Sequence, residues 1–424
     1  MSAPAPQESV GRYAVTGHPV EHSLSPLIHG QFAADTGQAL VYDLLSAGLD
    51  DFAPTVASFF AAIPGDTPAG INITLPFKEQ AAAWVHTLDP AAQLAGAVNT
   101  IHRAADGSFV GYNTDGSGLL ADLQGNLGWS IAQSRVLLIG AGGASRGVLD
   151  ALLQAQPAEL VLANRTVARA HELVAQVAPQ ASNVVICAPA EVTGAFDIVL
   201  NATSASLAGQ GALVPTAAVK GARCYDLLYA PTQTVFSGWA LSHGAAWAVD
   251  GLGMLLEQAA AAFELWRGVR PATAGLLDRR NDLFAAKRAG YPTLASWLAS
   301  SDYQRWQSAG GTVEEAQAAQ RGADAAELPQ RDKHQFIAGA VCPQCRAVDR
   351  IVVRQSAQGR QQACVTCGYV SSVMGDADSA TDGHALVPQG KHERPASIVA
   401  KTEQVQTVRI VDPAAVGKPP RGTD

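Results

Sequence analysis

Residues 135–147 read Arg-Val-Leu-Leu-Ile-Gly-Ala-Gly-Gly-Ala-Ser-Arg-Gly, an apolar run followed at once by glycines and then by a helical pattern. This order predicts a strand, a tight turn and a helix, the arrangement that binds a dinucleotide pyrophosphate. Gly140 permits the tight turn, and Gly142 lets the backbone approach the phosphates. Because a second apolar run at residues 160–163 follows within about twenty residues, the glycines belong to a βαβ unit.

The end of that second run indicates which dinucleotide is bound. It continues as Asn164-Arg165-Thr166, with Arg169 one turn later. An NAD-binding unit usually places Asp or Glu here to bind the ribose hydroxyls, and this segment has neither. Two arginines and two small polar side chains suit a 2′-phosphate, so the segment favours NADP over NAD. The alternative is that both arginines are solvated residues at a helix start.

Composition and patterning define the class of protein. Short apolar runs alternate with amphipathic stretches over residues 11–270, which predicts an α/β fold of parallel sheets and helical crossovers. The formal net charge of -8 gives no general attraction to nucleic acid or to anionic membranes. No apolar run approaches the ~18–20 residues that span a bilayer, and the N-terminus lacks a signal-peptide pattern. We therefore expect a cytoplasmic protein without a membrane segment.

Three polar clusters precede the glycine turn. They are HSLSP at residues 22–26, NITLPFKE at 72–79, and AVNT at 97–100 together with NTDG at 113–116. Each fits a strand end or a helix start, where side chains converge on a ligand. Taken singly, capping and turn formation explain these residues equally well. Their joint occurrence predicts a substrate site in a domain of its own.

These clusters belong to a longer series of motifs. The chain resembles the shikimate dehydrogenase family through HSLSP, INITLPFKE, AGAVNT, NTDG, GAGGASRG, NRT, NATS and DGLGMLLEQAA, in that order. The resemblance implies an α/β substrate domain at 11–112, completed by helices at about 250–284, and a Rossmann-type NADP-binding domain at 113–249. It also implies reversible reduction of 3-dehydroshikimate to shikimate by NADPH, a step of aromatic amino-acid (chorismate) biosynthesis.

The resemblance also assigns roles to single positions. Lys78 and Asp115 become the catalytic pair, since hydride transfer leaves a negative oxygen that needs a proton donor or a stabilising charge. Which of the two residues donates the proton stays open. The implied substrate ligands are Ser23, Ser25, Asn72, Thr74, Asn99, Tyr229 and Gln258. The implied cofactor contacts are Gly140, Ala141, Gly142, Gly143, Ala144, Asn164, Arg165, Thr166, Arg169, Thr203, Ser204, Leu227, Gly251 and Met254.

A second kind of unit is predicted near the C-terminus. The pair Cys342 and Cys345 is separated by eighteen residues from the pair Cys364 and Cys367, a spacing typical of two knuckles around one zinc ion. Residues 331–374 resemble small bacterial zinc-ribbon proteins of unassigned activity, whose partner, nucleic acid or protein, stays open. We expect residues 285–330 to be a linker and residues 375–424 to be a largely disordered tail.

Two other functions fit the sequence. One is a quinate/shikimate dehydrogenase that uses NAD. The other is a zinc-dependent binding protein whose dehydrogenase half is vestigial, and the presence of both Lys78 and Asp115 argues against it. The sequence leaves the assembly open between monomer and homodimer.

Overall fold

The computed structural model describes residues 10–61, 68–205, 209, 213–308 and 310–311, and the backbone of strands at 334–336, 351–356, 359–364, 370–373 and 407–409. Two compact units are present: Met1–Ala316 together with Thr402–Asp424, and Gln317–Lys401. Among the described helices, none combines the length and the apolar character that a membrane crossing requires.

The first sheet of the larger unit belongs to the substrate domain. Its strands are β1 (Gly11–Gly17), β2 (Leu40–Ser46), β3 (Pro68–Ile73), β4 (Thr87–Leu88), β5 (Thr100–Arg103), β6 (Phe109–Tyr112) and β17 (Thr407–Arg409), in the spatial order β17-β2-β1-β3-β5-β6-β4. The central strand β1 pairs in parallel with β2 and β3. The helices of this domain are α1 (Ser25–Thr36), α2 (Phe52–Phe60), α3 (Lys78–Trp84) and α4 (Pro90–Ala95). Because α3 begins just past β3, its first residue lies at the sheet edge where ligands collect.

The second sheet forms the Rossmann-type domain. It contains β7 (Arg135–Ile139), β8 (Glu159–Ala163), β9 (Val184–Cys187), β10 (Ile198–Asn201), β11 (Arg223–Asp226) and β12 (Trp247–Asp250), all parallel, in the order β12-β11-β10-β7-β8-β9. Its helices are α5 (Asp115–Leu120), which continues as a π-helix at Ala121–Asn126, α6 (Gly143–Gln154), α7 (Val167–Val177) and α8 (Val235–Ser242). Short 3₁₀ turns occur at Pro189–Glu191 and Thr216–Ala218. Strand order reverses between β7 and β10, which is where doubly wound sheets bind nucleotides.

One long helix joins the two domains. The helix α9 (Leu252–Arg267) places Leu256 and Phe263 in the core that covers the first sheet. Met254, from the first turn of the same helix, lies in the core of the second sheet. Since one rigid helix contributes to both cores, the substrate domain and the Rossmann-type domain are held together at this point.

The segment expected to be a linker differs in its first part. It follows α10 (Ala274–Leu277) and contains the end of α11 (Arg280–Arg288), then α12 (Leu294–Leu298) and α13 (Ser301–Ser308). Leu294 and Trp297 are buried in the substrate-domain core, and Trp297 packs edge-to-face against Tyr303. These side chains bury enough apolar surface to order the segment. Residues 312–330 lie outside the described part of the chain.

The smaller unit contains an antiparallel sheet. Its strands are β13 (His334–Phe336), β14 (Ile351–Ser356), β15 (Gly359–Cys364) and β16 (Val370–Val373), in that order. Cys364 ends β15, while Cys342, Cys345 and Cys367 lie outside the described residues. The tail differs from the expected disorder at residues 407–409, because β17 pairs with β2, whose outer edge offers unpaired backbone groups.

Candidate active site

The lysine and the carboxylate singled out in the sequence form an ion pair. Lys78 is the first residue of α3 and Asp115 is the first residue of α5, and the Lys78 Nζ donates to the Asp115 Oδ2 at 2.5 Å. The two side chains are only 16% and 6% exposed. Gly147 of α6 lies against this carboxylate, since a Cβ there would be 2.8 Å from Oδ2. Helix α6 therefore approaches the ion pair closely, at a position where a side chain would collide with the carboxylate.

Asn99 is the centre of the hydrogen-bond network around that pair. Its Nδ2 donates to the Asp115 Oδ1 at 2.8 Å, the Thr114 Oγ1 at 2.9 Å and the Gln258 Oε1 at 3.2 Å. Its Oδ1 accepts from the Thr114 N–H at 2.9 Å and from the Thr100 hydroxyl at 3.0 Å. Because every donor and acceptor of this amide is used, the Asp115 carboxylate is fixed before a substrate arrives.

A second group of side chains lies at the start of α1. The Ser23 hydroxyl donates to the Ser25 Oγ at 3.1 Å, and the Ser25 N–H donates back to the Ser23 Oγ at 3.2 Å. Tyr229 follows β11, and its hydroxyl lies beside the Leu24 backbone. Burial raises the pKa of Tyr229 to about 12, so its phenol stays protonated as a donor. The hydroxyl groups of Ser23, Ser25 and Tyr229 therefore lie near the start of α1. Together they suit the binding of a carboxylate.

The remaining predicted substrate ligands lie between these two groups. The Asn72 Nδ2 donates to the Thr100 Oγ1 at 3.0 Å, so Thr100 connects Asn72 to the hydrogen-bond network of Asn99. Thr74 directly follows β3, and its N–H donates to the Thr16 carbonyl at 2.9 Å. Gln258 projects from α9, where its Nε2 donates to the Leu255 carbonyl at 2.9 Å. The structure therefore connects Asn72, Asn99 and Gln258 through hydrogen bonds.

The glycine turn provides room for an anion. Gly140 has φ 107°, and a Cβ there would be 2.9 Å from the Thr203 Cγ2. The Ala141 N–H donates to the Asn164 Oδ1 at 3.1 Å, which ties the turn to the end of β8. A Cβ on Gly142 would meet nothing within 4 Å, so open space lies above the start of the twelve-residue helix α6, which continues through Gly143 and Ala144. A pyrophosphate fits this cradle.

Two exposed cations flank the end of β8. Arg165 and Arg169 are exposed, and neither guanidinium has a hydrogen bond or an ion pair with any residue that the structure describes. Thr166 lies between them at the N-cap position of α7, and the Asn164 Nδ2 donates to its carbonyl at 2.7 Å. Because neither cation has a partner in the part of the chain that the structure describes, both are available to a phosphate.

The other predicted cofactor contacts lie beyond the ends of neighbouring strands of the same sheet. They lie after β10 (Thr203 and Ser204), after β11 (Leu227) and at the start of α9 (Gly251 and Met254). The Thr203 hydroxyl donates to the Asn201 Oδ1 at 2.7 Å, and the Met254 N–H donates to the Tyr225 Oη at 3.2 Å. All of these strands end at the same edge of the sheet as the glycine turn, so the contacts share one cleft with the turn.

Three residues at the site were not predicted from the sequence. Thr114 bonds Asn99 and also donates to the Gln258 carbonyl at 3.1 Å. Tyr42 donates to the Asn72 Oδ1, and Arg146 donates to the Ala95 carbonyl of α4. Thr114 lies inside the NTDG motif and could have been singled out there. Tyr42 and Arg146 act through contacts between distant segments, for which the sequence carries no local pattern.

Family models match four parts of the chain. They are described as shikimate dehydrogenase substrate binding domain (residues 15–101), shikimate / quinate 5-dehydrogenase (122–218), shikimate 5'-dehydrogenase C-terminal domain (251–276) and probable metal-binding protein, DUF2387 (332–411). The first three cover both domains of the larger unit, and the fourth covers the cysteine pairs. Within the described residues, no group of three or more His, Cys, Asp or Glu side chains is arranged to hold a metal ion.

Individual relatives agree with these matches. The shikimate dehydrogenase (NADP(+)) of Alkalilimnicola ehrlichii is 51% identical over 267 residues, which are 63% of this chain and 97% of that protein. The corresponding protein of Aeromonas salmonicida is 49% identical and covers 63% and 96%. Among solved structures, an Ael1 enzyme from Pseudomonas putida is 44% identical with a TM-score of 0.59, covering 63% of this chain and 97% of that chain.

A further solved structure holds ligands. Shikimate 5-dehydrogenase from Thermus thermophilus, solved with NADP(H) and shikimate, is 31% identical, has a TM-score of 0.55, and covers 64% of this chain and 99% of that chain. Nearly the full length of each relative is therefore matched by the larger unit of this chain. The chain belongs to the shikimate dehydrogenase family.

Proposed function

We propose that this chain catalyses the reversible NADPH-dependent reduction of 3-dehydroshikimate to shikimate, as an oxidoreductase of aromatic amino-acid biosynthesis. The observation that carries the proposal is the Lys78–Asp115 pair, with its 2.5 Å hydrogen bond, against the glycine position that α6 presents. A proton donor thus lies beside a dinucleotide cradle, which is the combination that ketone reduction needs.

When bound, NADPH supplies the hydride for the ring ketone. Lys78 uses one of its three N–H groups on Asp115, which leaves two for the ketone oxygen. As that oxygen gains negative charge, the ammonium stabilises it and transfers a proton to it. Asp115 keeps Lys78 in position, and Asn99 keeps the carboxylate of Asp115 in position. The two residues then recover the lost proton from solvent as a coupled pair.

The other side chains orient the substrate. Ser23, Ser25 and Tyr229 supply hydroxyl donors to its carboxylate. Asn72, Thr74 and Gln258 would bind its ring hydroxyls, and Asn99 would do so by exchanging its hydrogen bond to Thr114 or to Gln258 for one to the substrate. Binding at both ends fixes the ketone carbon between Lys78 and the cofactor cleft, which raises the fraction of reactive geometries.

NADP is the cofactor that the cleft favours. Arg165 and Arg169 are unpaired within the described residues, and no carboxylate ends β8 to bind a free ribose 2′-hydroxyl. The relatives of Alkalilimnicola ehrlichii and Aeromonas salmonicida are NADP(+) enzymes, which supports the same choice. An NAD-dependent quinate/shikimate dehydrogenase is therefore not favoured.

The test is NADPH oxidation with 3-dehydroshikimate by the full chain. Lys78→Ala should lower kcat by about 10²–10⁴-fold, because a positioned proton donor contributes roughly that much. Exposed Lys220→Ala removes an equal charge on the Rossmann-type domain and should leave kcat unchanged. NADH should be a poor substitute. A folded wild-type protein without turnover would overturn the proposal.

We further infer that Cys342, Cys345, Cys364 and Cys367 hold one zinc ion. Four thiolates in two Cys-x-x-Cys pairs are a donor set that zinc prefers, and the matched family is described as probable metal-binding protein. The hairpin of β14 and β15 places Cys364 opposite Ile351, at the end of the ladder. Such a small sheet gains its stability from the metal rather than from a core.

Metal analysis of the purified chain tests this inference. We expect one zinc ion per chain, lost in Cys364→Ser and kept in Cys187→Ser, which removes a thiol from the Rossmann-type domain. Chelation should release the ion without lowering dehydrogenase turnover, since no described residue of the active site belongs to this unit. Wild-type protein that carries no metal would refute the site, and lost turnover on chelation would refute the independence of the two functions.

A further inference from the structure

A buried tyrosine lies behind the substrate residues. Tyr42, on β2, is fully buried, and its hydroxyl donates to the Asn72 Oδ1 at 2.6 Å. Burial raises the pKa of Tyr42 well above its ordinary value, so this hydroxyl keeps its proton. It therefore acts as a permanent donor to Asn72.

The hydrogen bonds of Asn72 have a defined direction. Its Nδ2 donates to the Asn99 carbonyl at 3.3 Å and to the Thr100 Oγ1 at 3.0 Å. A carbonyl oxygen can only accept, so the atom facing it must be the amide nitrogen. Both N–H bonds of Asn72 are thereby used inside the protein. Its Oδ1 accepts from Tyr42 and keeps one lone pair free for a ligand.

The same direction continues to the ion pair. The Thr100 hydroxyl, having accepted from Asn72, donates to the Asn99 Oδ1 at 3.0 Å. The Asn99 Nδ2 then donates to the Asp115 Oδ1, and Lys78 donates to the other oxygen of that carboxylate. Tyr42 therefore donates into a continuous series of hydrogen bonds that ends at the catalytic pair, and hydrogen bonds in series strengthen one another.

His29 holds the tyrosine ring in place. Its ring stacks on Tyr42 with centroids 4.4 Å apart and planes 12° apart. Burial lowers the pKa of His29 to about 3, although the neighbouring Asn72 side chain opposes that shift, so the ring is neutral near pH 7. Within the described residues, its ring nitrogens make no hydrogen bond of good geometry, and the contact with Tyr42 is between the ring faces. The stacked ring therefore leaves the Tyr42 hydroxyl directed at Asn72.

We propose that Tyr42 is a positioning residue that fixes Asn72 as a hydrogen-bond acceptor for one ring hydroxyl of the substrate. The proposal rests on the proposed function for the identity of that substrate. Without the Tyr42 hydroxyl, the Asn72 amide keeps the two hydrogen bonds made by its nitrogen and loses the only one that holds its oxygen. The acceptor that faces the substrate hydroxyl is then less accurately placed, and substrate binding is weakened.

The kinetic test compares two matched substitutions. Tyr42→Phe should raise KM for 3-dehydroshikimate about tenfold, the usual effect of one misplaced hydrogen bond, with kcat within about twofold and KM for NADPH unchanged. Tyr13→Phe is the control, because Tyr13 is equally buried in the same core and stacks on Trp266 at 4.7 Å without reaching Asn72. An unchanged KM in Tyr42→Phe would overturn the proposal.

A double-mutant cycle separates positioning from general damage. In an Asn72→Ala background, Tyr42→Phe should raise KM much less than in the wild-type background, since most of the effect passes through the amide that has been removed; the contact of Tyr42 with the Ser25 side chain is the same in both backgrounds. Two fully additive effects on KM would mean that Tyr42 acts by another route and would reject the inference.

A measurement on ligand-free protein makes the result independent of the substrate. The side-chain amide signal of Asn72 in a ¹⁵N spectrum, assigned with Asn72→Asp, should shift in Tyr42→Phe and stay in place in Tyr13→Phe. If the wild type fails to reduce 3-dehydroshikimate while this shift is seen, the proposed function is wrong and the positioning stands. An unmoved amide signal refutes the positioning whatever the activity.

Discussion

The two sides of the active-site cleft differ in how far their polar groups are already paired. On the substrate side, every donor and acceptor of the Asn99 amide is used, and each oxygen of the Asp115 carboxylate accepts a hydrogen bond, before any ligand is present. On the cofactor side, Arg165 and Arg169 are exposed, and the space above Gly142 is empty of protein atoms. The substrate side is preorganised, whereas the cofactor side has hydrogen-bond donors that are free to bind an anion.

This difference has a physical reason. The substrate side must hold a proton donor at an accurate position in a nearly dry environment, where a misplaced polar group is costly. The cofactor side binds phosphates through charge, which acts over longer distances and tolerates motion. Substitutions at the Lys78–Asp115 pair should therefore mainly change kcat, and those on the cofactor side should mainly change KM for NADPH.

The largest effect is expected at Asp115. Asp115→Asn should lower kcat about 10²–10⁴-fold, because the neutral amide no longer holds the Lys78 ammonium and can present a donor to it. Stopped-flow or steady-state NADPH oxidation measures the loss. Asp150→Asn is the control, since Asp150 lies on α6 and bonds only Gln154 among the described residues. A wild-type kcat in Asp115→Asn would contradict the assignment of the pair.

Next in size is the loss of the two free cations. Arg165→Ala with Arg169→Ala should raise KM for NADPH about 10–100-fold and reduce the preference over NADH, because two exposed and solvent-screened hydrogen bonds to the phosphate are together worth about 1.4–2.7 kcal/mol. KM for 3-dehydroshikimate should not change. Arg288→Ala, an exposed arginine on α11, controls for the change of net charge. An unaltered cofactor preference would place the 2′-phosphate elsewhere.

The two sides also differ in how far the sequence predicts them. The cofactor side follows local order along the chain: α6 begins at Gly143, directly after β7 and the glycines, and Asn164 directly follows β8. Each step is set by neighbours in sequence, so a strand, a turn and a helix could be predicted from residues 135–169 alone. The resemblance to a family added the roles of single positions.

The substrate side is built by contacts between segments that are distant in sequence. Less of it could therefore be predicted from the sequence. The sequence indicated Lys78 and Asp115, yet Tyr42 is thirty residues from Asn72, and Asn99 is 159 residues from Gln258. Residues 285–330 were predicted to be a linker because much of that stretch is polar, whereas Trp297 is buried in the core that also contains residues of α1 and α9. Such contacts form only when the chain has folded, so no local sequence pattern predicts them.

The preorganised side should also be the more sensitive to acid. The pKa of His29 is lowered from 6.5 to about 3 by burial, so between these values the unfolded chain binds a proton that the folded chain does not. Stability contributed by this group is complete above pH 6.5 and decreases as the pH falls, by up to ~1.4 kcal/mol per pH unit. At pH 5 the loss should reach about 2 kcal/mol relative to pH 7.

Chemical denaturation at several pH values measures this effect. His29→Phe keeps a flat ring beside Tyr42 but has no proton to bind, so its free energy of unfolding should decrease less between pH 7 and pH 5 than that of the wild type. His171→Phe replaces an exposed histidine on α7 and should follow the wild-type pH dependence. Parallel curves for wild type and His29→Phe would show that the ring is not kept neutral by the fold.

The smallest expected effect lies at the contact between the two sides. Arg146 of α6 donates to the Ala95 carbonyl of α4 at 3.4 Å and to the Gln176 Oε1 at 2.5 Å, and its guanidinium lies 3.8 Å from the Glu79 carboxylate. One cation of the cofactor side thus reaches the segments that carry Asn99 and Lys78.

Because these contacts are long and partly exposed, Arg146→Met should raise KM for NADPH and for 3-dehydroshikimate only about two- to fivefold, with kcat nearly unchanged. Gln176→Leu removes the partner that orients the guanidinium, so the double variant should differ little from Arg146→Met alone. Equal effects on both KM values would show that the cofactor side and the substrate side are coupled through this arginine. An effect on NADPH alone would mean that Arg146 serves the cofactor side only and that the two sides respond independently.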